Sequence, residues 1–170
     1  MQSLRVLLAD WRGARQQMET LVKNMPRIIG AECVRTVKQN FNMHGYDSGD
    51  GFTKWVDRKP STNKAYATNR TKGKQGIYKG SVFSPNKPLL KQTLRLYNSI
   101  QYQTRGMSSV IIGVDKGLVP YAIAHNEGLN HQPKRQFMPR PNQPPNKKML
   151  LQIQKKYDHE REKALQRFKK

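Results

Sequence analysis

The sequence reads as an α+β domain, with N-terminal helices packed on a small antiparallel β-sheet, a long basic loop or arm, and a C-terminal helix. Three observations lead there. Apolar residues recur at three- and four-residue steps near both ends of the chain. Two short runs rich in β-branched residues sit beyond its middle. Between these regions lies a stretch dominated by Gly, Ser, Thr, Asn, Lys and Pro, in which apolar residues stand singly. With 170 residues there is enough chain for one core, and a mean hydropathy of -0.87 makes that core lean.

The first segment, 1–45, carries Leu4, Leu7, Leu8, Trp11, Met18, Leu21 and Val22 on one helical stripe. Pro26 interrupts it, and Ile28, Ile29, Cys33, Val34, Val37 and Phe41 resume it. The spacing fits two helices, with Pro26 opening the second, or one kinked helix. Such a stripe is a core or subunit-packing face, and Trp11 is assigned to it.

Residues 46–88 read as a loop or arm that cannot close a core of its own. Within 89–141, Leu90, Leu94 and Tyr97 fall at near-helical spacing. The runs from Ile100 to Thr104 and from Ser109 to Val114 then form a hairpin about Arg105–Ser108. A short helix follows from about Val119 to Glu127, with Gly128 as its C-terminal cap. Phe137 and Met138 are expected to add a third, edge strand, kept short by Pro133, Pro139 and Pro141. Residues 142–170 form a basic helix with the thin stripe Met149, Ile153, Tyr157, Ala164 and Phe168. All four segments belong to one structural domain with extensions.

The net charge of +21 is unevenly placed. Residues 54–95 hold eleven Lys or Arg against one acidic residue, and 134–170 hold twelve against three; the rest of the chain is nearly balanced. Blocks of this kind project into solvent or meet a polyanion. Candidate contacts with a polyanion or an acidic partner are Lys54, Arg58, Lys59, Lys72, Lys74 and Lys79 in the first block, with Lys147, Lys148, Lys155 and Lys156 in the second.

Chemistry is sparsely represented. Cys33 is the single cysteine, which excludes an intrachain disulfide and argues against a thiolate zinc site. His125, Glu127 and His131 lie close together but lack the second His at i, i+4 of a zincin and the Asp pair of a two-metal site. His44, Asp47 and Asp50 lack the ligand alternation of a calcium loop. No Walker loop, dinucleotide fingerprint or nucleophile elbow is present. His125 is expected to hydrogen-bond locally and do no catalysis, and the reading calls for no cofactor and no metal. No apolar run has the length of a membrane span, and no secretory leader is evident, so a cytosolic, soluble product is expected.

Five blocks occur in a fixed order. Trp55 lies in a loop followed by Arg58. Leu90, Thr93, Leu96, Ser99 and Ile100 follow, then the strand pair. Tyr121, Ala122, His125 and Gly128 come next, and Pro133, Arg135, Phe137 and Pro139 close the series. This series resembles the signature of the tail-completion and virion-morphogenesis proteins of tailed bacteriophages, written Leu-x-x-Thr-Gly-x-Leu-x-x-Ser-Ile, Tyr-Ala-x-x-His-x-x-Gly and Pro-x-Arg-x-Phe. At the Gly position of the first of these this chain has Leu94, a change that suggests a helix start in place of a tight turn. The loop Trp is expected to anchor its loop by packing, with stacking on a nucleic-acid base as the sharper alternative.

The resemblance implies a non-enzymatic structural protein of the virion, assembled in the bacterial host cytoplasm. It implies a homo-oligomeric ring at the head-tail junction, or neck, that contacts portal or connector and tail proteins and leaves a channel for DNA. Non-specific contact with the genome fits the charge, since phosphate attraction requires no base-reading motif. Two rivals differ in class. One is a non-viral, sequence-independent nucleic-acid-binding protein, although no RNP-like or zinc-finger motif supports it. The other is a small nuclease built on His125, Glu127 and His131.

Overall fold

A computed structural model describes residues 4–58, 89–91, 94–107, 109–140, 143 and 146–166, with backbone only for 4–10. The architecture is α+β. Helix α1 runs from Leu4 to Met43 and is followed by the hairpin β1 (Gly45–Asp47) and β2 (Phe52–Lys54). A single-turn helix α2 (Arg95–Asn98) leads into a second hairpin, β3 (Ile100–Arg105) and β4 (Ser109–Val114). Helix α3 (Ala122–Glu127) and helix α4 (Lys147–Gln166) complete the order.

The N-terminal stripe resolves into one helix of 40 residues, with Pro26 inside it. Pro26 removes one backbone hydrogen bond, which costs about 3 kcal/mol in a helix interior. Packing compensates for that loss. Pro26 is itself buried, and from Cys33 onward the stripe turns into the core, where Val37 and Phe41 are almost fully enclosed. Trp11 is a correction to the expected core face: it is 72% exposed, and Val22 is exposed as well. Leu21 is buried, and among the described residues the stripe joins the main core from Cys33 onward.

Helix α1 packs against α4, against β3 and β4, and against β1. The second hairpin pairs antiparallel from Ile100↔Val114 to Arg105↔Ser109, and its turn falls where the sequence places it. It lies flush on α1 because Gly30 has no side chain; a Cβ there would overlap the Tyr102 ring. The mid-helix Gly costs about 1 kcal/mol in helix propensity, and the close approach it permits is what it gains.

The first hairpin was expected as loop. Its strands pair as Tyr46↔Thr53 and Asp47↔Phe52. The turn is held by Ser48 N–H to the Gly51 carbonyl at 3.1 Å and by Gly49 N–H to Asp47 Oδ1 at 2.9 Å. Three paired residues per strand are too few for hydrophobic alternation to show in sequence. Of the expected arm, residues 59–88 lie outside the described residues.

Phe41 is the hub of the core. Its ring meets Trp55 edge-on at 5.4 Å and Tyr97 edge-on at 5.7 Å, and lies tilted against Phe137 at 5.2 Å. Leu96, Ile100, Val119, Ala122 and Met149 close around this aromatic group. Each fully buried side chain of this size contributes about 1.5–3 kcal/mol of transfer free energy. Of the expected stripe on α4, Met149 is buried and Ile153 packs against the core, Tyr157 and Ala164 are partly covered, and Phe168 lies outside the described residues.

Candidate functional site

The residues of the resembling blocks are drawn mostly to one place. Trp55, Leu96, Ser99, Ile100, Ala122, Arg135 and Phe137 are all buried. Leu90, His125, Gly128, Pro133 and Pro139 are partly covered, and Tyr121 is 40% exposed. Thr93 lies outside the described residues.

The centre of this arrangement is the segment Arg135–Met138. The third, edge strand expected at Phe137 and Met138 does not form; among the described residues no strand lies beside them, and side chains take the place of a ladder. Asn126 Oδ1 on α3 accepts from the N–H groups of both Phe137 and Met138 at 3.0 Å. Asn40 Nδ2 on α1 donates to the Phe137 carbonyl at 3.0 Å, and Trp55 Nε1 donates to the Gln136 carbonyl at 2.6 Å. Gln136 Nε2 donates to the Met138 carbonyl, while Arg135 N–H donates to the His125 carbonyl at 2.7 Å. Three backbone N–H groups and three carbonyls of an irregular, mostly buried segment are thereby satisfied, as burial demands. The loop Trp is a packing anchor, 3% exposed, with no face open to a base.

Gly128 ends α3 at φ 76°, where its N–H and that of Leu129 both reach the Ala124 carbonyl at 2.9 Å. A Cβ at Gly128 would crowd the Lys134 side chain, so the position requires Gly for its conformation and for its space. At Leu94 the helix start expected in place of a tight turn is accompanied by the turn itself. Leu94 precedes α2 at φ 59°, in the left-handed region.

His125 departs from expectation. Its Nδ1 is buried and has no hydrogen-bond partner among the described residues. The ring meets Tyr121 edge-on at 5.9 Å. Burial, and then the neighbouring Arg135 guanidinium, hold its pKa below the ordinary histidine value. Glu127 is turned away to Arg140, in an ion pair of 2.5 Å, and accepts from Asn126 Nδ2. His131 is exposed in a turn at φ 59°. Among the described residues no group of three or more His, Cys, Asp or Glu side chains is placed to hold a metal ion.

The two basic blocks meet different surroundings. In the C-terminal block Lys147 pairs with Asp50 and Lys148 with Asp47, both at 2.6 Å, which fastens α4 to the first hairpin. Lys156 and Lys163 flank Glu160, and Arg161 lies beside Asp158. Lys155 is exposed. In the earlier block Lys54 is 4.0 Å from Asp57, Arg58 is half-buried and engaged, and Lys59, Lys72, Lys74 and Lys79 lie outside the described residues.

Sequence reading missed three buried asparagines. Besides Asn40 and Asn126, Asn146 starts α4 by accepting from Met149 N–H at 2.9 Å, and it donates to the Asp47 carbonyl at 2.8 Å. The capping role is the only one with a sequence signal, an Asn ahead of an apolar helical stripe. The outward side of α3 and its flanking turns is apolar, with Leu118, Tyr121, Ile123 and Leu129 each at least 40% exposed.

No helix among the described residues is long and apolar enough to cross a membrane. Comparison of the chain with protein-family models, with curated proteins and with solved structures finds no match.

Proposed function

We propose that the chain is a structural protein of a tailed-phage virion that assembles into a ring at the head-tail junction, through which DNA passes. The observation that carries this reading is the backbone at Leu94. Where the resembling block has Gly, this chain keeps the left-handed conformation that Gly adopts without cost and that a Leu enters at a penalty. A Gly at this position would take the same backbone without strain, which supports the resemblance.

Two further features support it. Blocks far apart in sequence, from Trp55 to Phe137, join in one core around Phe41, as a shared fold would require. Beside them, Leu118, Tyr121, Ile123 and Leu129 expose apolar surface of the kind that neighbouring subunits cover. The ring would meet portal or connector proteins on one side and tail proteins on the other, and its role involves no turnover.

The test is mass measurement and imaging of the purified protein, alone and with phage heads that lack tails, at low and high salt. Rings, or added density at the portal vertex, are expected. Ile123→Asp is expected to leave the monomer folded and abolish both. A persistent monomer that ignores heads yet binds DNA with a steep salt dependence would overturn the reading in favour of a non-viral nucleic-acid-binding protein.

A further inference from the structure

On the side of α1 that faces α2, two ammonium groups share one aromatic ring. Lys38 Nζ lies 4.9 Å, and Lys91 Nζ 4.6 Å, from the centroid of Tyr97. Lys91 also donates to Asn42 Oδ1 at 2.6 Å, and the Phe41 ring supports Tyr97 from the core. An ammonium carries three N–H donors and needs acceptors for them. Here a quadrupole and a single amide oxygen serve two cations.

Among the described residues no carboxylate makes an ion pair with either lysine. Four of the described acidic groups on α1, the first hairpin and α3 are engaged elsewhere: Glu32 holds Arg35, Asp47 and Asp50 hold the start of α4, and Glu127 holds Arg140. Two like charges held on one ring without a counter-ion attract an anion, whose arrival relieves their mutual repulsion. Lys91 also belongs to the 54–95 block, where a single acidic residue faces eleven basic ones, so the cluster is part of a long basic stretch of chain.

We propose that Lys38, Lys91 and Tyr97 form a binding site for the phosphodiester backbone of nucleic acid, with Asn42 positioning Lys91. Two ammonium groups on one ring match the closely spaced charges of a repeating polyanion better than the isolated carboxylates of a protein surface. The contact is with phosphate and not with bases, so it tolerates any sequence. The site is complete within one chain and does not depend on ring assembly.

The test is fluorescence anisotropy of a labelled mixed-sequence duplex with the full-length protein, over about 50–200 mM salt. The slope of log affinity against log salt falls by about 1 for every phosphate deprived of its lysine, so Lys38→Gln/Lys91→Gln is expected to lower it by about 2. Lys38→Arg/Lys91→Arg is expected to keep the wild-type slope, and so is the equally charged control Lys23→Gln/Lys116→Gln, at two exposed lysines outside the site. Unchanged binding in the double Gln variant would overturn the proposal, as would an equal loss in the control, which would mean diffuse charge. Displacement of the duplex by polyglutamate as effectively as by unlabelled DNA would overturn it too, and would make an acidic protein surface the occupant.

Discussion

The indole N–H of Trp55 donates to the carbonyl of Gln136 across 81 residues of sequence, at 2.6 Å and out of contact with water. This bond closes the root of the long basic segment onto the segment between α3 and α4. The same backbone position adds Trp55 N–H to the His44 carbonyl at 2.8 Å, so the end of α1 is held as well. Trp55→Phe keeps most of the ring contact with Phe41 and removes the donor. A loss of about 1–3 kcal/mol is expected from the orphaned carbonyl, measured by urea unfolding. An unchanged midpoint would mean that the bond contributes nothing.

Asn126 accepts two backbone N–H groups with one oxygen and is only 9% exposed. Asn126→Ala leaves both donors unsatisfied and is expected to cost about 2–5 kcal/mol. Asn126→Asp keeps the acceptor but replaces the amide donor to Glu127 with a second carboxylate, so it should restore the two bonds without restoring full stability. Hydrogen exchange at Phe137 and Met138 checks the assignment: both amides should lose protection in the Ala variant before α1 does.

Leu94 is half-exposed and left-handed, so its side chain contributes little packing while its backbone is strained. Leu94→Gly is expected to raise stability by about 0.5 kcal/mol, the strain released being partly offset by the greater freedom of Gly in the unfolded chain. Leu94→Ala, which retains the strain, should not. Thermal melts of the three proteins decide the matter.

Folding lowers the pKa of His125, by burial first and then by the Arg135 charge, so the unfolded chain binds a proton that the native state refuses. Its contribution to stability is present above the ordinary value near 6.5 and is lost as pH falls through the folded pKa. His125→Phe, which keeps a ring against Tyr121, is expected to flatten the decline in Tm between neutral and mildly acidic pH. A decline as steep as that of the wild type would place its cause elsewhere.

Cys33 is 3% exposed, and burial, with a smaller part from Glu32, pushes its thiol up to about 11. Near pH 8 it should therefore resist thiol reagents, reacting only as fast as the core opens. Modification rates should rise with urea in step with unfolding. Rapid labelling of the native protein would contradict the burial.

The long-period patterns were legible in the sequence. The stripe through Cys33, Val37 and Phe41, the β-branched pair of strands, and Gly128 as a cap all express repeated side-chain chemistry or a backbone requirement. What escaped was single and non-local. The amides of Asn40, Asn126 and Asn146 escaped because nothing nearby marks them as partners for backbone groups, which for Asn40 and Asn146 lie about a hundred residues away. Phe137 and Met138 have the composition of a strand, yet strand formation depends on a neighbouring strand, and the described residues provide none there. Trp11 shares its spacing with the core residues, but the elements that bury the stripe meet α1 further along. The Tyr97 cluster joins residues from two elements, and neither lysine is distinctive in a chain with 32 basic residues.

The union of the first helix with the last has a consequence for biosynthesis. Phe41 leaves the ribosome early, and Met149, which closes its pocket, follows after 108 further residues. At about 5–20 residues per second that interval is roughly 5–20 s, during which the apolar stripe of α1 is covered only in part, by elements that emerge before α4. Folding is thus completed only after most of the chain has emerged, and until then the nascent protein depends on chaperones or on rapid collapse to keep its own copies apart.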